Sequence, residues 1–250
     1  MLKKILQPKY IIALLLFLLL VGGGVFYWLN LSYGPAEEAF SYLESSPEVE
    51  VYEAEDYFSF WPARQNEEVE KPGFVFYPGA QIKAGSYAAL ASELASRGYP
   101  VFLVEMPYQL AILGWRKAED IAATYQEITD WYLLGHSLGG AMATRFLARE
   151  QPENFTGLIL LGAYPAGDDD IAASDYKVLS IYGSEDKVMD QELFKERQEN
   201  LPAGTQYHEI SGGNHAQFGQ YGEQQGDGEA QISFATQLEK TRELILEFLP

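Results

Sequence analysis

Cysteine is missing altogether from the 250 residues, which excludes disulfides and lipoprotein attachment. Basic side chains are few, 17 Lys and Arg against 36 Asp and Glu, for a net charge of −19. The first 31 residues hold Lys3, Lys4 and Lys9 and no acid, which takes the net charge of the remainder from −19 to −22. A field of that sign repels nucleic acid and anionic headgroups and disfavours polyanionic substrates. No nucleic-acid partner is therefore expected. Histidine is also scarce. The three in the chain, His136, His208 and His215, are the only imidazoles available for proton transfer near neutral pH.

Aromatic residues, in contrast, are plentiful, with 17 Tyr, 14 Phe and 4 Trp, which suits a packed core. The length suits a single α/β domain. Residues 10–31 form an almost unbroken apolar, uncharged run, long enough to cross a hydrocarbon core. Tyr10, Tyr27 and Trp28 sit near its ends, where amphipathic rings prefer the interface. The preceding lysines favour a cytoplasmic N-terminus and an extracytoplasmic domain in a single-pass membrane protein. A cleaved signal peptide is the rival, since 11–21 would serve as its apolar region. The triple glycine at 22–24 leads into Phe26, Tyr27 and Trp28 without a small-x-small cleavage site, which favours an uncleaved anchor with the bilayer as partner.

Residues 32–47 read as a juxtamembrane spacer, with a helical stretch over 35–43, and 48–250 as the folded domain. Alternation over 48–61 predicts a strand pair at a sheet edge, and 64–71 a charged turn. From Gly73 onward, short apolar strands at 74–77, 101–104, 131–134, 158–161, 178–182 and 206–210 alternate with helices. Those helices are expected at 86–97 (capped by Ser86), 117–128, 138–150, 191–200 and 233–249. Alternation of this kind means an α/β fold: a mostly parallel central sheet with helices on both faces. Ligands then sit beyond the carboxyl ends of the strands. Only 162–177 separates two of the strands where related folds insert a lid, so the site is expected to be uncovered. No internal repeat or low-complexity tract is present.

The segment Trp131-Tyr132-Leu133-Leu134-Gly135-His136-Ser137-Leu138-Gly139-Gly140 reads as strand, tight turn and helix in immediate succession. Such a turn holds a serine in a strained conformation and needs neighbours without side chains. Its hydroxyl is then lifted toward a substrate, with a helix N-terminus behind it to favour an oxyanion. Serine is a weak nucleophile until a base takes its proton, and the base needs an acid to orient it. His136 adjoins the serine and is expected to point away in a supporting role. His208 lies inside a strand, the setting of a packed or surface histidine. His215 follows the last strand in Ser211-Gly212-Gly213-Asn214, overhanging the edge where Ser137 sits, and is the expected base.

Asp186 leaves the 178–182 strand through Gly183-Ser184-Glu185 and is the expected acid, giving the chain order Ser137, Asp186, His215. Glu185 is the near rival, and Asp168, Asp169, Asp170 and Asp175 form a second source. The triple aspartate could in principle hold a hard cation, but a solvated acidic loop is the simpler reading, and no metal or cofactor is expected. Two N–H donors are needed for a tetrahedral intermediate: Leu138, and either Ala80 or Gln81 after Tyr77-Pro78-Gly79. Tyr108, Gln109 and Leu110, beyond the 101–104 strand, are expected to line the acyl side.

Phe76-Tyr77-Pro78-Gly79-Ala80, Glu105-Met106-Pro107, the Gly-His-Ser-Leu-Gly turn, Tyr182-Gly183-Ser184-Glu185-Asp186 and Gly212-Gly213-Asn214-His215-Ala216-Gln217-Phe218-Gly219 together resemble the α/β-hydrolase superfamily. The likeness is to its dienelactone-hydrolase-like bacterial members, over about residues 72–248, and the loop from Tyr221 to Gly228 is also similar. The resemblance implies a serine hydrolase with Ser137, Asp186 and His215 as its triad. Dienelactone hydrolases carry a cysteine nucleophile where serine stands here, so their substrate is not carried over. Pro78-Gly79 likewise replaces the His-Gly of lipases. The expected activity is a carboxylesterase on small to medium acyl esters. Acyl transfer or peptide cleavage by the same triad, and a non-catalytic cell-surface binding domain, are the alternatives.

Overall fold

Strands apolar at every position need cover on both sides, and that requirement sets the architecture. The structure, a computed structural model, describes residues 7–29, 32–63 and 71–249. It divides into two units, Met1–Ser32 and Tyr33–Pro250. In the first, α1 (Pro8–Leu29) contains a stretch, Pro8–Phe26, of mean hydropathy 2.3. That stretch is long and apolar enough to cross a membrane. Lys3, Lys4 and residues 64–70 of the expected charged turn at 64–71 lie outside the described residues.

The second unit is built on an eight-stranded sheet. In chain order its strands are β1 (Val49–Glu53), β2 (Tyr57–Pro62), β3 (Gly73–Tyr77), β4 (Val101–Val104), β5 (Trp131–His136), β6 (Phe155–Leu161), β7 (Lys177–Gly183) and β8 (Gln206–Ile210). Their spatial order is β1-β2-β4-β3-β5-β6-β7-β8. β1 and β2 form the expected hairpin at one edge, antiparallel to each other, β2 is also antiparallel to β4, and the remaining neighbours are parallel. The two-residue period of β3 divides its side chains between two cores. Phe74 and Phe76 face α2 (Ala88–Ala95) and the closing helix α6 (Phe234–Phe248), packing with Leu90, Leu94 and Ile245. Val75 and Tyr77 face α3 (Lys117–Thr124) and α4 (Leu138–Glu150), with Ile121, Met142 and Phe146.

Three expectations shift. Residues 32–47 are no free spacer from Tyr33 onward: the Tyr33 backbone bridges the loop after β3, donating to the Gln81 carbonyl (2.7 Å) and accepting from Lys83 N–H (3.0 Å). A 3-10 turn follows at Glu37–Leu43, with Ala39 fully buried. Ser86 does not cap α2; a 3-10 turn at Ala84–Tyr87 intervenes and the Ser86 hydroxyl is buried without a partner. α3 stops at Thr124 because Tyr125 leaves the helix to pack on Phe102 and Trp61 and to bond the Tyr57 hydroxyl at 2.9 Å. Ser233 and Asp190 do cap α6 and the short α5 (Gln191–Glu196).

The join of β5 to α4 depends on Gly139. A Cβ there would collide with the backbone oxygens of Tyr77 and Pro78, which belong to the end of β3 and cannot swing aside. Gly139→Ala is expected to destabilise by about 3 kcal/mol or more, the upper range for overpacking. Thermal unfolding should then fall by roughly 6–12 °C.

Candidate active site

Ser137 sits where β5 becomes α4, with φ 52° and ψ −123°, a conformation that strains a residue carrying a Cβ by about 1–3 kcal/mol. Its amide donates to the Leu161 carbonyl at 3.0 Å, extending the β5–β6 pairing by one residue. Serine at a helix start normally turns its oxygen onto the second or third amide of the helix. Ser137 makes no such cap, so the strained turn leaves its hydroxyl outside the helix.

Asp186 and His215 reach each other from the loops after β7 and β8. His215 Nδ1 lies 2.7 Å from Asp186 Oδ2, with the two residues 1% and 4% exposed. The other carboxylate oxygen, Oδ1, accepts from the amides of Val188 (3.0 Å) and Met189 (2.8 Å). An ionised carboxylate only accepts, so Nδ1 carries the proton and Nε2 keeps its lone pair. Nε2 is buried without a hydrogen-bond partner, and no hydrogen bond joins it to Ser137. Gly162, the residue after Leu161, faces the pair: a Cβ there would stand 3.0 Å from both Asp186 Oδ2 and His215 Nδ1. With φ +52°, this position requires glycine for both room and backbone.

The rival carboxylates are committed elsewhere. Glu185 accepts from the Ser184 hydroxyl. Asp169, 0% exposed, holds Arg145 (2.8 Å) and Arg149 (3.0 Å) of α4, Asp168 also pairs with Arg149, and Asp170 accepts from the Ala172 amide. These bonds pin the 162–176 connection, which contains no helix or strand, against α4. Asp175 is exposed, and no metal-binding cluster occurs among the described residues.

Of the two donors left open after β3, Gln81 is corrected. Its backbone is left-handed (φ 58°) and its N–H donates to the Gln109 carbonyl at 2.7 Å, so it is not turned to the site. Ala80 is exposed and its N–H makes no hydrogen bond among the described residues. Leu138, the first residue of α4, has no intrahelical acceptor for its amide. Tyr108 and Gln109 are both left-handed (φ 53° each), Tyr108 is 58% exposed, and Leu110 is half-buried.

His136 is turned into the core, where it meets both Tyr87 and His215. It is 0% exposed, bonds the Tyr87 hydroxyl through Nδ1 (2.8 Å), and packs against His215 with ring centroids 4.4 Å apart. Burial first, and the neighbouring His215 second, hold its imidazolium form well below the ordinary value of 6.5. His208 is half-buried within β8. The unfolded chain therefore binds a proton at residue 136 below pH 6.5 that the folded chain refuses, so this residue lowers stability as pH falls. Its contribution approaches about 1.4 kcal/mol per pH unit. Melting temperature should fall from pH 7.5 to 5.0 less steeply in His136→Asn than in the parent.

Two parts of the site carried no local signal in the sequence. Asp227, in a Gly-Asp-Gly turn, accepts from Ala216 (2.8 Å), Gly228 (2.8 Å) and Lys187 (3.3 Å) amides, tying the loops of His215 and Asp186 together. Gln237 of α6 is fully buried and exchanges two bonds with the Asn214 backbone (3.0 and 2.8 Å). Read alone, the first is ordinary turn chemistry and the second a polar residue on an amphipathic helix.

A sequence model described as the Alpha/beta hydrolase family matches residues 73–239. No curated protein matches the chain. Among solved structures, Est1E from Butyrivibrio proteoclasticus is 15% identical with a TM-score of 0.55, over 80% of this chain and 98% of that one. Carboxyl esterase 2 from Tuber melanosporum is 12% identical with a TM-score of 0.62, over 88% and 92%. A predicted CIB-like hydrolase from Thermoplasma acidophilum is 14% identical with a TM-score of 0.56, over 80% and 97%. At these identities the likeness is one of fold.

Proposed function

Because the chain belongs to the alpha/beta hydrolase family, we propose that it is a serine hydrolase, and specifically a carboxylesterase of small to medium acyl esters. The observation that carries this reading is the buried Asp186–His215 pair, with its Nε2 unpartnered beside the strand that leads into Ser137. Ser137 Oγ attacks the acyl carbon while its proton passes to His215 Nε2. Asp186 holds the tautomer and balances the imidazolium. The oxyanion receives the amides of Leu138 and Ala80. Collapse expels the alcohol, which takes the proton from His215, and leaves an acyl-Ser137 ester. Water, deprotonated by His215, then releases the carboxylic acid and restores the serine.

Tyr108, Gln109 and Leu110 line the acyl side in this reading. The charge of −22 on the residues after 31 favours neutral or cationic esters over acidic ones. α1 serves as an uncleaved anchor, oriented by Lys3, Lys4 and Lys9 with the hydrolase domain extracytoplasmic. The test is turnover of p-nitrophenyl esters from acetate to laurate, beside amides and acceptor alcohols. Esters cleaved faster than amides, with no transfer to the alcohols, support a carboxylesterase; folded protein inert toward all of them contradicts it. Tyr108→Ala is expected to raise KM by about 3- to 10-fold while changing kcat less.

A further inference from the structure

One hydroxyl joins the two halves of the proposed machinery. Tyr87, buried between β3 and α2, has its oxygen 3.0 Å from the Gly79 amide and 2.8 Å from His136 Nδ1. An amide can only donate, so the phenol accepts from Gly79 and gives its single proton to Nδ1. Burial pushes the phenol pKa upward, which keeps that proton in place. His136 is thereby the tautomer protonated on Nε2. Nε2 is buried and closes no hydrogen bond. The ring instead lies along the His215 imidazole at 4.4 Å, tilted by 46°, with Phe218 on it at 5.7 Å. Gly79 abuts the same imidazole: a Cβ there would stand 2.9 Å from Nδ1.

We propose that Tyr87 and His136 are positioning residues for the reaction, a reading that rests on the serine-hydrolase function above. Tyr87 fixes Gly79, and so the direction of the next amide, that of Ala80. His136 carries this fixed loop to the flank of His215, so the oxyanion donor and the base are registered against one rigid pair. Neither side chain hydrogen-bonds a reacting atom: His136 bonds Tyr87 and meets His215 only ring to ring. The Gly79 amide, the Tyr87 hydroxyl and His136 Nδ1 are each satisfied only when the others are in place, so this chain defines geometry more than it adds stability.

The test uses the full-length protein, with rates expressed per serine titrated by a fluorophosphonate so that unfolded molecules do not count. Tyr87→Phe removes only the hydroxyl. It is expected to lower kcat on p-nitrophenyl butyrate at least about 10-fold with KM changed less than about threefold, since the loss falls on the tetrahedral state. Affinity for a boronic acid, whose tetrahedral adduct uses the same donors, should fall by a similar factor. His136→Asn keeps an acceptor in the place of Nδ1 and should retain more kcat than His136→Phe. The double variant Tyr87→Phe/His136→Phe should be no slower than the slower single one, the mark of residues acting as a unit. If His136→Phe does not fold, Tyr87→Phe alone carries the test. Unchanged kcat per titrated site with a lower melting temperature would make the pair mere packing and overturn the proposal. A folded parent that neither hydrolyses esters nor takes the probe removes the serine-hydrolase reading itself, which is a different failure.

Discussion

Ser137→Ala is expected to lose ester turnover by at least about 10⁴-fold, because the step it removes is the one every other group in the site serves. KM should move little, as the hydroxyl contributes to bond formation rather than to ground-state contact. Melting temperature should hold. The Ser137 side chain caps nothing in α4, and alanine occupies the same strained backbone with the same Cβ. The pairing of an inactive enzyme with an unaltered fold is the informative result. It separates the hydroxyl from the turn that carries it, whereas Gly139→Ala disturbs the turn.

Asp186→Asn is the second large effect, about 10⁴-fold in kcat. The reason lies in the uneven duties of the two carboxylate oxygens. Oδ1 accepts from two amides, those of Val188 and Met189, so an NH₂ group placed there would face two donors. The amide therefore orients its oxygen to the backbone and its NH₂ to His215. Nδ1 must then accept, the ring proton moves to Nε2, and the atom that should take the serine proton already holds one. Rates measured against pH, with melting temperature as the reference for folding, distinguish this from collapse of the pair. A variant within about tenfold of the parent would show that Asp186 does not set the tautomer.

The sheet was readable because its central strands are buried on both faces and so are apolar at every position. β4 falls at the expected residues and β6 and β7 run longer only at their ends, while the half-exposed edge strand β8 also lies where expected. The turn at Ser137 is readable for a different reason: packed backbones admit only glycine two positions to either side of the strained serine, at Gly135 and Gly139, and glycine is visible in a sequence. What no local pattern displays depends on contacts between distant segments. Tyr33 bridges the loop after β3, which makes the residues from Tyr33 onward part of the domain, yet nothing in a short polar stretch announces its partner. The Gln81 amide is engaged by the Gln109 carbonyl, twenty-eight positions along the chain, a contact no local pattern displays. Tyr87 and Gln237 likewise look like core and surface residues until the loops that they hold are in place. Asp169 shows the converse. In the sequence it belonged to an acidic loop, and the structure buries it against two arginines of α4.

The most direct measurement is the mass of the folded protein after treatment with a fluorophosphonate, followed by mapping of the modified peptide. The account predicts one adduct, carried by Ser137, absent from Ser137→Ala and greatly slowed in His215→Ala. Folded protein that stays unmodified, or an adduct on any other residue, would contradict it.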